Sequence, residues 1–140
     1  MKPNFSERYA RQTALPEVGA EGQQRLDGSH VLVIGAGGLG CHILQYLCAA
    51  GVGHISIVDD DRVDISNLQR QVLFSEADLE QPKAIAAVAR LQVMNSNCRP
   101  EAFTERFTEL NAELLAGECN LIIDASDNAE TRYLIDRASL

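Results

Sequence analysis

From residue 30 onward, short apolar runs alternate with stretches in which apolar residues recur every three or four positions. Residues 31–34 (Val-Leu-Val-Ile) are continuous and mostly β-branched, the pattern of a strand covered on both faces of a parallel sheet. Residues 55–58 and 121–124 repeat the pattern, and residues 102–107 predict a weaker strand between them. Helical spacing fills the intervals, over residues 38–50, 84–94 and 111–116 and from about residue 129 to the end. In the first of these, Leu39, Ile43 and Leu47 recur every fourth residue and predict the face that lies on the sheet. Gly51-Val52-Gly53 predicts its stop, Pro82 starts the second helix at its first turn, and Asn111 is the expected cap of the third. The first 27 residues carry no strand pattern. Residues 5–12 suit a short helix capped by Ser6, and residues 20–26 a second one ended by Asp27-Gly28. The order predicts an α/β fold: a Rossmann-like, doubly wound, mainly parallel sheet of strand order 3-2-1-4. A helical N-terminal prelude (residues 1–27) would precede a nucleotide-binding domain (residues 28–140).

Candidate chemistry sharpens this picture. Gly35, Gly37 and Gly40 match G-x-G-x-x-G between the first strand and the first long helix. There the backbone can approach a phosphate and the free amides of the helix start point at it. Asp59, Asp60 and Asp61 follow the second strand, about 20 residues on, where such folds bind ribose hydroxyls. Asp59, at the strand end, is the expected ribose ligand; a plain polar turn would give the same letters. The connection over residues 62–75 is longer than a simple βαβα run needs, and connections of that length tend to be functional. Within it, Asn67, Gln69 and Arg70 are spaced to turn several donors toward one ligand. Lys83 sits in the first turn of a helix, where a cation is disfavoured unless an anion lies there. Solvated surface charge is the plain alternative for Arg70 and Lys83, as it is for Arg8 and Arg11. In the order 3-2-1-4, the fourth strand lies beside the first, so Asp124 and Asp127 are expected near the glycine turn. Carboxylates beside a phosphate chain call for a cation between them, which suggests Mg²⁺ held mainly through water and one carboxylate. Asp127 would equally suit a helix N-cap.

Composition excludes some functions. A formal charge of −8 argues against a nucleic-acid-binding face, which needs clustered Lys and Arg. The apolar runs are too short to span a membrane, and residues 1–6 do not form a signal peptide. Cys41, Cys48, Cys98 and Cys119 contain no C-x-x-C pair, so reduced thiols in a cytoplasmic protein are expected, without a zinc site in this chain.

Six motifs stand in register: Arg8-Tyr9-x-Arg11-Gln12, Gly35-x-Gly37-Gly38-Leu39-Gly40, Asp59-x-Asp61, Ser66-Asn67-Leu68-Gln69-Arg70-Gln71, Pro82-Lys83 and Asp127-Asn128. Together they resemble the ThiF/MoeB/HesA family, the prokaryotic branch of the ubiquitin-activating enzyme superfamily. The run Val58-Asp59-Asp60-Asp61-Arg62-Val63 looks more like the thiamine-pathway member than the molybdopterin one. The resemblance implies ATP-dependent adenylation of the C-terminal glycine carboxylate of a small ubiquitin-like sulfur carrier ending in a diglycine. It also implies roles. Gly38 would approach the nucleotide, with Asp59 and Asp61 beside it, and Asp59 would hold the ribose. Ser66, Asn67, Gln69, Arg70 and Lys83 would surround the phosphates. Asp127 would bind Mg²⁺, Asn128 would line the pocket, and Arg11 would enter the neighbouring subunit's site in a homodimer. Catalysis would fall to Arg11, Arg70, Lys83 and Asp127. Members of the family continue well beyond residue 140, into a half that normally carries a zinc site of two C-x-x-C pairs and much of the carrier-binding surface. The chain is therefore expected to be the N-terminal part of a longer adenylyltransferase, possessing ATP binding and lacking full activity by itself. An NAD-binding oxidoreductase domain and a non-catalytic family fragment are the competing readings; the first shares the glycine turn and Asp59 but leaves Asn67, Arg70, Lys83 and Asp127 without a task.

Overall fold

A computed structural model describes residues 4–139; residues 1–3 of the expected prelude, and residue 140 at the expected end of the last helix, lie outside it. The elements run α1 (Phe5–Arg8), α2 (Ala10–Thr13), α3 (Gly19–Asp27), β1 (His30–Ile34), α4 (Gly38–Ala50), β2 (His54–Val58), α5 (Lys83–Met94), β3 (Arg99–Phe103), α6 (Glu109–Ala116), β4 (Leu121–Asp124) and α7 (Ala129–Ala138). The four strands are parallel in the order β3-β2-β1-β4. That is the doubly wound arrangement the alternating pattern predicts, with β1 at the centre and its carboxyl end at the switch point. One layer of core lies under α4 and α5, around Val31, Val33, Leu44, Ile55, Ile57 and Leu91. The other lies under α6 and α7, around Leu32, Ile34, Val58, Phe107 and Leu115.

Several local details depart from the sequence expectations. The first helix is two short pieces meeting at Tyr9, and its cap is Asn4, whose side chain accepts the Ser6 N–H, rather than Ser6 itself. Tyr9 is turned inward and only 1% exposed, so the chain breaks where that ring must enter the core. α6 is capped by Thr108, rather than by Asn111, which answers from the third helical position in a reciprocal capping box. β3 begins three residues earlier than expected and ends at Phe103. Its register is dictated by β2, Ile55 facing Pro100 and Val58 facing Phe103. Pro100 is tolerated because β3 is an edge strand, and that proline hides the strand from an apolar-run search.

The face of α4 is also rotated from the one expected. Leu39 is 61% exposed, whereas Gly40, Cys41, Leu44 and Cys48 are buried. The phase is set by a close approach. A Cβ at Gly40 would lie 2.0 Å from the carbonyl oxygen of Gly35, so only glycine lets the helix meet β1, and Leu44 and Cys48 follow it inward one and two turns later. α4 ends at Gly51, in the left-handed conformation, as expected. Its last carbonyls are taken up by the prelude and by the end of α5. Gln12 Nε2 and Gln23 Nε2 both donate to Ala50 O, at 2.9 and 3.0 Å, and Asn95 Nδ2 donates to Cys48 O at 2.8 Å and to the Tyr9 hydroxyl at 2.7 Å. These bonds satisfy acceptors that a helix end otherwise leaves open, and they fasten α1 and α2 to the end of α4 farthest from the glycine turn.

Candidate active site

The turn between β1 and α4 is built for a ligand by its backbone. Gly35 has φ +101°, and a Cβ there would meet Ala125 O at 2.6 Å. α4 begins at Gly38 with no side chain capping it, and its first internal bond is made by Cys41 N–H to Gly37 O. The amides of Gly38, Leu39 and Gly40 therefore precede the helical ladder and face outward with the positive end of the helix dipole. Gly38 and Leu39 line a cavity of about 810 Å³ at the carboxyl ends of β1, β2 and β4. Beneath it, Cys41 Sγ lies 3.5 Å from Ala36 O, and burial pushes the thiol up to about 11. It is a packing group held protonated, not a nucleophile. All four cysteines are free.

Asp59 joins the glycine turn to the second strand. Its Oδ2 accepts the Ala36 N–H and its Oδ1 accepts the Asp61 N–H, both at 2.8 Å. Burial pushes its carboxyl above the usual range, while these two amides and the nearby Lys83 pull the other way. The carboxylate thus braces the turn, and its remaining lone pairs face the cavity, which Asp59 lines together with Asp60 and Asp61.

The connection over residues 62–75 supplies a second wall. Asp64 Oδ1 accepts from the amide and the hydroxyl of Ser66, forming a tight turn into a single 3₁₀ turn at Ile65–Asn67. That holds the following residues against the glycines. Asn67 lines the cavity, and the Arg70 side chain passes 3.6 Å from where a Gly38 Cβ would be. Ser66 and Gln69 do not line it. Ser66 is spent on shaping the turn, and Gln69 is exposed on the outer side. Lys83 enters from the first turn of α5 and is 5% exposed. Its ammonium lies 3.6 Å from Asp61 Oδ2, and its amide donates to Asp61 O at 2.9 Å. A buried lysine on the cavity wall, whose ion-pair partner Asp61 is itself 71% exposed, is turned toward the cavity rather than solvated.

On the β4 side the two acidic residues part ways. Asp124 Oδ1 accepts from the Ser126 amide and hydroxyl at 2.9 and 2.6 Å, and its other oxygen lies 3.7 Å from Arg132 Nε. It closes the turn after the strand and does not line the cavity. Asp127 does line it. The cap of α7 is Asn128, whose side chain accepts the Thr131 N–H at 2.8 Å, so the capping duty that Asp127 could have had falls to its neighbour. Asn128 combines that duty with a place on the cavity wall.

Arg11 is exposed and outside the cavity. It belongs to α2, which is fastened by Gln12 to Ala50 at the far end of α4, about 20 Å along a 13-residue helix. Gln71, Arg106 and Arg132 are among the cavity residues that carried no role in the sequence reading. Gln71 is buried beside Gly37, Arg106 lies 4.0 Å from Asp60 Oδ2, and Arg132 stands in the first turn of α7. Arg132 could have been found from its place one turn after Asn128. Arg106 gave no signal, because residues 104–106 extend past the true end of β3.

Among the described residues no group of three or more His, Cys, Asp or Glu could hold a metal ion, and no helix is long and apolar enough to cross a membrane. The cavity brings Arg70, Lys83 and the Asp127 carboxylate to a glycine turn with free amides, and the ThiF family model matches residues 9–140. The chain belongs to the ThiF family. A sulfur carrier protein adenylyltransferase of Thermus thermophilus is 51% identical over 134 residues, which is 96% of this chain and 49% of that protein. The chain thus spans about half the length of this curated relative. Among solved structures, the crystal structure of PaaA matches with a TM-score of 0.87 at 29% identity, over 99% of this chain and 45% of that one. The structure of E. coli MccB with ATP matches with a TM-score of 0.76 at 27% identity, over 87% of this chain and 37% of that one. The ThiF-family chain therefore has its cavity where open α/β sheets bind ligands, outside the carboxyl ends of the strands.

Proposed function

We propose that this chain is the nucleotide-binding part of an enzyme that adenylates the C-terminal glycine carboxylate of a ubiquitin-like sulfur carrier. The observation that carries the reading is the convergence of Arg70, Lys83 and Asp127 on the glycine turn. A dinucleotide needs the turn and the ribose carboxylate; a triphosphate with a divalent cation needs the rest. The relative named as a sulfur carrier protein adenylyltransferase and the neighbour solved with ATP support it.

In this reading Asp59 holds the ribose hydroxyls, with Asp61 beside it. The helix amides at Gly38, with Asn67, Arg70 and Lys83, hold the phosphates. The carrier carboxylate, ionised at neutral pH without a general base, forms a bond from its oxygen to the α-phosphorus. The bond from that phosphorus to the bridging oxygen breaks, and the electron pair leaves with pyrophosphate. Negative charge gathers on the α-phosphoryl oxygens and the leaving group, so fixed cations and amides are what the chain must supply. The Asp127 carboxylate, which lines the cavity together with the glycine turn, fits a Mg²⁺ held otherwise by phosphates and water. That ion would neutralise charge on the phosphate chain; zinc belongs to the expectation for the family's second half.

Pyrophosphate exchange is the test. With the full-length natural protein, labelled pyrophosphate should enter ATP only when a sulfur carrier is present. Exchange with neither carrier, together with tight NADH binding, would sink the reading in favour of an oxidoreductase domain. We assign the carrier to the thiamine thiazole pathway, on the resemblance around Asp59-Asp60-Asp61; a greater rate with the molybdopterin-synthase carrier would reverse that choice.

We also propose a cytoplasmic homodimer in which Arg11 completes the partner's site. Arg11 stands at the end of α4 opposite its own cavity, so only another copy's Arg11 can enter. Arg11→Ala and Asp127→Ala, each inactive alone, should recover up to about a quarter of wild-type exchange when mixed and allowed to trade subunits. No recovery on mixing would count against a site shared between subunits.

A further inference from the structure

Gln71 is buried, 3% exposed, at the wall of the cavity. Three other buried amide or hydroxyl side chains have partners: Gln23 on Ala50, Asn95 on Tyr9 and Cys48, and Ser56 on His30. Gln71 Oε1 has none among the described residues. Most buried polar atoms in folded proteins are paired. A phosphoryl oxygen, itself an acceptor, cannot pair Oε1, whereas Nε2 is a donor at the cavity wall with no hydrogen bond of its own among the described residues. The backbone around it is fixed, its amide donating to Asn67 O at 2.9 Å and its carbonyl accepting from Phe74 at 3.1 Å. The carboxamide is therefore held in place by its neighbours rather than by bonds of its own. Its Nε2 lies 3.7 Å from where a Cβ on Gly37 would be, just as the preceding residue, Arg70, lies over Gly38. Two consecutive residues cover two consecutive glycines at the start of α4.

We propose that Gln71 contacts the substrate, its Nε2 donating a hydrogen bond to an α-phosphoryl oxygen of the bound nucleotide. The inference rests on the nucleotide reading above and names a residue to which that reading gives no role. The choice of phosphoryl group follows from the order of the turn. Asp59, the ribose ligand, is bonded to Ala36 N–H at 2.8 Å. Gly37 is the next residue, and the first group beyond a 5′-linked ribose is the α-phosphoryl. Gln71 Nε2 is at Gly37, whereas Arg70 is one residue farther on, at Gly38. A neutral donor suits that place. It stabilises charge developing at the attacked phosphorus without adding a cation that would compete for the incoming carboxylate.

The experiment compares AMP with adenosine, which differ by the α-phosphoryl group alone and require no carrier. Calorimetric titration of this chain should show that wild type prefers AMP. In Gln71→Leu the AMP-over-adenosine preference should shrink by about tenfold, the worth of one hydrogen bond to a charged acceptor. Adenosine affinity should be unchanged. Because Oε1 is unpartnered, the same variant should melt at or above the wild-type temperature. Gln71→Glu, which keeps the shape but replaces the donor with a like charge, should lose the preference further. An unchanged preference in Gln71→Leu overturns the proposal. So does an equal fall for both ligands, a lowered melting temperature or failure to fold, since each makes Gln71 a structural group. A wild-type chain that binds neither ligand, or both alike, instead overturns the nucleotide reading itself.

Discussion

Asp127→Ala is expected to lower carrier-dependent pyrophosphate exchange on the order of 10³-fold, in the range seen when a single preorganised charge-stabilising group is removed, while leaving the fold intact. The second half of that expectation comes from the cap of α7. Had Asp127 been the N-cap, its loss would cost about 1 kcal/mol of stability and confuse the result. Asn128 takes the Thr131 amide instead, at 2.8 Å, and Asp127 is exposed on the cavity wall. Circular dichroism should give the same melting temperature within about 2 °C, as for surface substitutions generally. The converse variant separates the two duties. Asn128→Ala should lose the ~1 kcal/mol of the cap while retaining the Asp127 carboxylate. Near-normal exchange in Asp127→Ala, in protein that folds as wild type, would mean the cation is held elsewhere.

Gly40→Ala should give the largest stability effect of any single methyl added to this chain's ligand turn. The new Cβ would lie 2.0 Å from Gly35 O and 2.8 Å from Gly35 C. Those are backbone atoms at the end of the central strand, so they cannot swing aside as a side chain would. α4 must lift away from β1, opening the contact that buries Cys41, Leu44 and Cys48. Overpacking of this kind costs about 3 kcal/mol or more, a large share of the 5–15 kcal/mol that about typifies a domain. A fall of roughly 10 °C in melting temperature is the expected reading. Gly38→Ala provides the contrast. Its Cβ would meet only Arg70 side-chain atoms, at 3.6 Å or beyond, and should leave the melting temperature near wild type. Equal stability of the two variants would show that the phase of α4 is set by something other than the Gly40 approach.

The two halves of the candidate site were legible to different degrees. The glycine turn, Asp59 and the helix that starts at Gly38 follow from local pattern, because a strand, a tight turn and a helix need particular residue types at fixed offsets. Arg70 and Lys83 were visible as charges with a reason to face an anion, and the fold places both on the cavity. Ser66 and Gln69, equally good letters in the same motif, are turned to the Asp64 turn and to solvent. Spacing within an irregular connection does not fix side-chain direction, whereas a helix or strand does.

By itself, the sequence determined the order of strands and helices, the doubly wound sheet and the place of the phosphate-binding turn. Each of these rests on periodicity or on glycine chemistry within a few residues. Tertiary structure decided that α4 shows Cys41, Leu44 and Cys48 to the sheet instead of Leu39. It also decided that Asn128 caps α7 and so frees Asp127, that Asp124 is spent on Ser126, and that Gln71 is sealed against Gly37 with one oxygen unpartnered. These outcomes depend on which atoms distant segments bring within 3 or 4 Å of one another. No local pattern encodes such distances; the backbone contact between Gly35 and Gly40, and the turns that end β2 and β4, set them.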